Sequence, residues 1–397
     1  MDWKSQWERR KTLKSGAIGV ALVAAFSVIT ARGKTLSNVG EPRGCNFPAM
    51  FNFGDSNSDT GSVSAAFNRF EPPNGRTFFG KPSGRYSDGR LIIDFMAEKL
   101  GLPYLSPYLD AVGAIEATFR HGTNFAASGA TIRPVIFMSP FPLSIQISQF
   151  AQLKARTIEL YNQAERSNAK SFLPRPEDFS KALYTVDIGQ NDLHAGLISN
   201  KTEEQVQASI PSILYQFAEA VENLYQQGAR AFWIHNTGPI GCLPFFVMKL
   251  PPKSSNTDRI GCIKSYNAVA QEFNKQLKQL LSQLRTKFQN ASLTYIDIYS
   301  AKYSLISEAK EHGFVHPFGY CCGHHGDHHN ELDCGKMVIV NGVESVGPSC
   351  SNPCEYISWD GVHLTEAANH WVGLRVLDGS LSDPQLPVTE ACLRPVE

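Results

Sequence analysis

The sequence predicts an α/β protein built on a parallel sheet, and three observations carry that expectation. Short runs rich in β-branched and aromatic residues are apolar on both faces, as strands covered on two sides must be. Each of these runs ends in a polar, loop-like cluster. Long stretches between them repeat apolar residues every three to four positions, the period of an amphipathic helix.

Residues 49–53 (Ala-Met-Phe-Asn-Phe) form the first predicted strand and lead into Gly54-Asp55-Ser56. Leu91, Ile92, Phe95 and Leu100 suggest a short helix. Residues 182–188 form a second strand and run into Gly189-Gln190-Asn191-Asp192. Val206, Ile210, Ile213, Leu214, Phe217, Val221 and Leu224 mark a long helix. Residues 231–235 form a third strand before Asn236-Thr237-Gly238-Pro239. Tyr266, Val269, Phe273, Leu277, Leu280, Leu284 and Phe288 mark a second long helix, and residues 293–297 a fourth strand. Such alternation implies right-handed crossovers between parallel strands. No repeat, low-complexity tract or linker divides the chain, so residues 34–397 are expected to form one domain. In such sheets the active site lies beyond the carboxyl ends of the strands, where the polar clusters sit.

Lys and Arg number 37, matched by 37 Asp and Glu, so the net charge is zero. No basic run follows the first 14 residues, which excludes a surface that tracks nucleic-acid phosphates. Neither a Walker-type phosphate loop nor a dinucleotide glycine fingerprint follows any strand, so kinase and dehydrogenase readings lack support. Lys4, Arg9, Arg10, Lys11 and Lys14 precede an almost wholly apolar stretch from Ala17 to Ala31. Spanning a bilayer takes about 20 apolar residues. The shorter stretch reads as a secretory signal over residues 1–33, cleaved after Gly33, leaving no membrane span.

Asn200-Lys201-Thr202 and Asn290-Ala291-Ser292 are acceptor sequons for N-linked sugar. Nine cysteines follow the leader, six of them between Cys321 and Cys392. In an oxidising compartment such clustering reads as disulfides closing local loops, with at least one thiol left over. A secreted, extracellular chain follows, expected as a monomer.

Four segments carry candidate chemistry. Ser56 stands between a strand end and a helix start, where its own N–H can face a developing oxyanion; turn chemistry alone also favours such residues there. Asp360 and His363 are three apart, so the carboxylate can fix the imidazole tautomer and steady the imidazolium. They could equally cap the helix that starts near Thr365. Asn191 offers a side-chain amide donor. Gly129, in Asn124-Phe125-Ala126-Ala127-Ser128-Gly129, offers an N–H that no side chain shields.

Taken together, these segments resemble the plant GDSL esterase/lipase family of the SGNH hydrolase superfamily. The likeness runs from about Phe47 to Trp371 and includes Gly84-Arg85-Tyr86-Ser87-Asp88-Gly89-Arg90 and Pro239-Ile240-Gly241-Cys242-Leu243-Pro244. Around Ser56 it resembles the secreted early-nodulin and acetylesterase branch, some of whose look-alikes are assigned as α-L-fucosidases. Asn57 stands where the family name implies leucine. The resemblance implies a three-layer α/β/α sandwich around a mostly parallel five-stranded sheet, flavodoxin-like in arrangement. It implies Ser56 as nucleophile, His363 as base and Asp360 as its partner. The Ser56 N–H, Gly129 and Asn191 form the implied oxyanion hole. No metal or organic cofactor is implied, and an apoplastic or cell-wall location is.

Cys321, Cys322, His324, His325, His328, His329 and Cys334 are dense in metal-ligand types, but in a secreted chain disulfides are the expected use of those cysteines. The expected substrate is a small-molecule, lipid or acylated-sugar ester. The apolar segment between Pro134 and Pro142 is a candidate acyl-pocket wall, with core or surface packing as the plainer use. Two rivals stay open: a glycosidase using Asp55, Asp59, Asp192 and Asp360, and a non-catalytic secreted binding protein on the same scaffold.

Overall fold

Alternation along each strand builds two cores, one on each side of a sheet. Phe51, Phe53, Tyr184, Val186, Phe232, Ile234, Leu293 and Tyr295 join one core. Met50, Leu183, Ala231, Trp233 and Ile296 join the other. Successive side chains of a strand point to opposite faces, so strands apolar on both faces must be covered twice. The computed structural model describes residues 44–110, 118–135, 137–163, 169–199, 201–249, 254–323, 333–340 and 343–392.

The strands, in chain order, are β1 (Met50–Gly54), β2 (Gly122–Asn124), β3 (Leu183–Asp187), β4 (Ala231–His235), β5 (Ser292–Ile296), β6 (His316–Tyr320), β7 (Met337–Val340), β8 (Val343–Val346), β9 (Tyr356–Ser358) and β10 (Ser382–Asp383). The main sheet runs β10-β5-β4-β3-β1-β2. Its first five strands by sequence are parallel, and β10 pairs antiparallel with β5. The expected parallel five-stranded sheet therefore stands, with a short sixth strand at one edge. The chain leaves β1 for β2 on one side and then crosses to β3 on the other. That reversal is the kind of switch point at which α/β sheets open a crevice.

The helices are α1 (Ser62–Ala66), α2 (Ile92–Leu100), α3 (Leu143–Gln163), α4 (Ala169–Phe172), α5 (Asp178–Lys181), α6 (Gln190–Ile198), α7 (Glu203–Gln226), α8 (Pro244–Lys249), α9 (Lys264–Lys287), α10 (Ile298–Ser307) and α11 (Glu366–Leu377). Residues from α3, α6, α7 and α9 fill the first core, and those from α2, α10 and α11 the second. Helix α7 starts at a capping box: the Gln205 N–H donates to Thr202 Oγ1 (3.3 Å), and the Thr202 N–H to Gln205 Oε1 (3.0 Å).

Outside the main sheet, β6 pairs with β9 and β7 with β8. Two disulfides, Cys321–Cys350 and Cys322–Cys334, tie this region together. Cys321 and Cys322 pack with the fully buried Trp359, the residue before Asp360. Cys242–Cys262 closes a third local loop, but Cys45–Cys392 joins positions 347 apart, beyond the local-loop expectation. Cys354 carries the leftover thiol and is exposed.

With three cysteines of the Cys/His cluster in disulfides, that segment has no thiolates to offer zinc. His324, His325, His328 and His329 lie outside the described residues, as do Asn200 and the leader, residues 1–33. Asn290 is exposed in the turn before β5. Among the described residues no helix is long and apolar enough to cross a membrane.

Candidate active site

Gly54 ends β1 because nothing larger fits: a Cβ there would stand 2.4 Å from the Asp187 carbonyl oxygen. Gln146, from α3, clamps this glycine in both directions, accepting from its N–H (2.9 Å) and donating to its carbonyl (2.8 Å). Asp55 and Ser56 then leave the sheet. Asp59, fully buried, accepts from the N–H groups of Gly61, Ser62 and Val63 at the start of α1. Its Oδ2 also accepts from the Ser128 N–H at 2.8 Å, which couples the Ser56 turn to the segment bearing Gly129. Asn124 adds a second tie, donating to Ser58 O (2.6 Å) and Thr60 Oγ1 (3.0 Å) while accepting from Asn52 (2.7 Å).

Gly129 adopts the left-handed region, φ 72°, and the Ser139 N–H donates to its carbonyl at 3.2 Å. The residues after it are gripped by α6. Asn191 Nδ2 donates to Ala130 O (3.0 Å), and the Asp192 carboxylate accepts from the Ile132 and Arg133 N–H groups (2.8 and 3.0 Å). An amide nitrogen carries two protons, so Asn191 retains one to direct elsewhere. Gly189, which starts α6, has φ 116°, and a Cβ there would meet Phe273 at 2.7 Å. Ser56, Gly129 and Asn191 thus belong to three strand-end segments that buried polar groups lock to one another.

His363 and Asp360 are built differently, within one short loop after β9. Asp360 Oδ1 accepts from the Val362 and His363 N–H groups (3.0 and 2.9 Å), and its Oδ2 lies 2.6 Å from His363 Nδ1. Burial works to raise the Asp360 carboxyl, but the charge and hydrogen bonds of His363, with the Val362 N–H, hold it below the usual value. An ionised Asp360 accepts the Nδ1–H bond and so fixes that tautomer, which leaves the Nε2 lone pair free to accept. That Nε2 is buried and has no hydrogen-bond partner among the described residues. The Ser56 hydroxyl therefore makes no bond to it here. The charge of His363 does reach Asp55, the neighbour of Ser56.

His363, Asp360 and Val362 line a cleft of about 720 Å³, walled by Val63, Phe67, Phe70, Tyr86 and Phe245. Asp333, Cys334, Gly335 and Lys336, from the disulfide-tied region, also line it. Among the described residues the segment from Pro134 to Pro142 does not line this cleft. Phe141 instead packs against Phe67 at 6.0 Å, and Phe137 is exposed. The apolar run supports a wall residue from outside because its loop is pinned alongside Gly129.

Of the four carboxylates weighed for glycoside cleavage, Asp360 alone lines the cleft. Asp59 and Asp192 are committed to backbone N–H groups, and Asp55 is buried beneath the turn. Burial raises Asp59, and raises Asp192 to about 6.

Sequence reasoning missed a buried charge cluster under Ser56. His235 Nδ1, at the end of β4, lies 3.2 Å from Asp187 Oδ2 at the end of β3. Burial, reinforced by the Asp187 charge, pushes Asp55 up to about 7, against the Asn57 N–H, Lys302 and His363. Burial would also raise Asp187, but His235 and Lys302 hold it low. Burial lowers the Lys302 ammonium, and the two carboxylates pull it back up. A charged or titratable residue at the end of an otherwise apolar strand, as in Tyr184-Thr185-Val186-Asp187 or Phe232-Trp233-Ile234-His235, was the available signal.

A family model described as GDSL-like Lipase/Acylhydrolase matches residues 50–376. A GDSL esterase/lipase of Arabidopsis thaliana, At3g27950, is 52% identical over 94% of this chain and 97% of its own length. The GDSL esterase/lipase ENOD8 of Medicago truncatula is 45% identical over 89% and 91%. A third relative, named Alpha-L-fucosidase 3, also from Arabidopsis thaliana, is 48% identical over 84% and 91%. A serine at a β1 terminus, a histidine held by aspartate beside an apolar cleft and a match spanning both lead to one conclusion: the chain belongs to the GDSL-like lipase/acylhydrolase family and is a carboxylic ester hydrolase.

Proposed function

We propose that the chain is a secreted serine esterase that works through an acyl-enzyme on Ser56. The observation that carries this reading is the Asp360–His363 pair at 2.6 Å, with a buried, unpartnered Nε2 on a 720 Å³ cleft. His363 takes the Ser56 proton as Oγ adds to the ester carbonyl. The Ser56 and Gly129 N–H groups and the spare Asn191 N–H receive the oxyanion. His363 then returns the proton to the departing alcohol, and water repeats the sequence on the acyl group. The apolar lining suits an acyl chain, and the polar lining residues suit an alcohol such as a sugar or a lipid headgroup. Four disulfides fit an oxidising, extracellular compartment such as the plant apoplast. A monomer and sugar at Asn200 and Asn290 complete the proposal.

Ser56→Ala is expected to lower kcat on nitrophenyl butyrate by at least about 10⁴-fold without changing the fold. The same preparations are tried on a nitrophenyl fucoside, because one relative bears the fucosidase name. Fucoside cleavage insensitive to Ser56→Ala, without ester cleavage, would replace the esterase reading with glycoside hydrolysis. A wild-type protein inert on both, and unlabelled by an organophosphonate, would favour a binding role.

A further inference from the structure

The segment from Gly84 to Arg90 carries no role in the mechanism above, yet it is held as firmly as the residues that do. The Arg85 guanidinium, almost fully buried, makes a two-pronged bond to Asp94 at 2.7 and 2.8 Å. Gly75 N–H donates to Ser87 O at 2.9 Å, Thr77 N–H to Asp88 O at 2.8 Å, and Glu366 N–H to Asp88 Oδ1 at 2.8 Å. Gly84 sits at φ 77°, and a Cβ there would press on Gly61 at 2.5 Å. Anchored on both sides, the residue between, Tyr86, projects into the cleft.

Its ring lies on the His363 imidazole, centroids 4.9 Å apart and planes inclined by 32°. Phe70 stands edge-on to the tyrosine at 4.5 Å and 76°. The Tyr86 hydroxyl lies beside the Ser128 side chain, which acts on its pKa. Ser128 precedes Gly129, and its own N–H is held by Asp59. One side chain therefore touches both the loop that bears the base and the turn that bears an oxyanion donor.

We propose that Tyr86 is a positioning residue of the esterase site: its ring braces the imidazole of His363, and its hydroxyl, through Ser128, keys that imidazole to the turn presenting Gly129. The proposal rests on the assignment of Ser56, His363 and Gly129 given above. A base on one loop and an oxyanion donor on another must act on the same carbonyl at once. Small misplacement of reacting groups costs rate steeply, and locked supporting residues prevent it. Burial, with the Asp59 and Asp360 charges nearby, pushes the hydroxyl up to about 12 against the lowering influence of Ser128. The phenol thus stays neutral across the working range, able to hydrogen-bond Ser128.

The test is a double-mutant cycle on nitrophenyl butyrate with wild type, Tyr86→Phe, Ser128→Ala and the double variant. Melting temperatures and a Tyr86→Ala control accompany it. Tyr86→Phe keeps the ring and loses the tie; it is expected to lower kcat by about 10-fold with KM within twofold and melting unchanged. Ser128→Ala is expected to match it, and the double variant to be no worse than either single, because both cut the same link. Tyr86→Ala is expected to lose about 100-fold, with Phe the partial rescue. Wild-type kcat in Tyr86→Phe, a loss confined to KM, or losses that multiply in the double variant would each overturn the proposal. Ser56→Ala runs in the same assay. If it retains turnover, the esterase assignment itself has failed; if it is inactive while Tyr86→Phe is unimpaired, only the role of Tyr86 has failed.

Discussion

The two halves of the site are held in place by opposite means. Ser56, Gly129 and Asn191 come from segments that follow β1, β2 and β3, spread over more than a hundred residues, and those segments meet because the sheet brings the strand ends together. Asn124, Asp59, Gln146 and Asp192 then tie the segments with buried hydrogen bonds. Asp360 and His363 need no sheet to find each other. One carboxylate organises its own loop by binding two N–H groups and the imidazole within three residues. That loop is referred to the rest of the molecule through Trp359 and the disulfide-tied strands. Position by register suits the proposed oxyanion donors, which must not move. A self-contained loop suits the proposed role of His363 as a base that shuttles a proton. The cleft is lined on the loop side by Asp360, Val362 and His363 and includes Tyr86, whereas Ser56, Gly129 and Asn191 are not among its lining residues.

Perturbing the loop half at its organising carboxylate is the strongest way to break the comparison. In Asp360→Asn the side-chain oxygen can still accept from Val362 and His363, so the loop persists. Its amide would now donate to Nδ1 and force the proton onto Nε2. A loss in kcat on the order of 10⁴-fold is expected, with melting nearly unchanged. A variant that melts much earlier would mean that the loop depends on the charge itself.

The strand-end half answers with a smaller effect. Asn191→Ala removes the proposed oxyanion donor and the tie to Ala130. About 10²- to 10³-fold in kcat should be lost, with KM little altered. Loss confined to KM would place Asn191 in substrate binding instead.

The smallest effect concerns stability alone and separates the buried cluster from the chemistry. Asp55 ionises near 4 in the unfolded chain but is held up to about 7 when folded. The folded protein therefore binds the proton more tightly. The contribution of Asp55 is complete below pH 4 and is lost as the pH climbs to 7. Asp55→Asn has nothing to lose, so its melting temperature should gain on wild type across that window by a few degrees and then level off. A constant difference from pH 4 to 8 would show that Asp55 titrates normally.

Much of this was legible in the chain, and the reason differs by element. β4 fell on the predicted residues, and α7 and α9 within a few, because burial on two faces or on one stripe leaves a mark in consecutive residues. α3 carried a usable signal in Leu143, Ile147, Phe150 and Leu153, all buried on its inner face, and was passed over. β2 carried none: Gly-Thr-Asn has no apolar residue and becomes a strand by lying beside β1. The apolar 134–142 segment misled because its hydrophobicity could not say which cavity it adjoins.

By itself, then, the sequence determined the α/β class, the strand ends and the four marker segments, including a pair, Asp360 and His363, close enough in the chain to join without help. These are local properties, fixed by periodicity, turn chemistry and neighbours a few residues away. Tertiary structure decided what depends on distant partners: the pairing of Cys45 with Cys392, the Gln146 clamp, the charges gathered around Asp55, the walls of the cleft and the seat of Tyr86 against His363. Such contacts join residues separated by tens to hundreds of positions. Neither partner's neighbourhood records the other, and only the folding of the sheet brings them within bonding range.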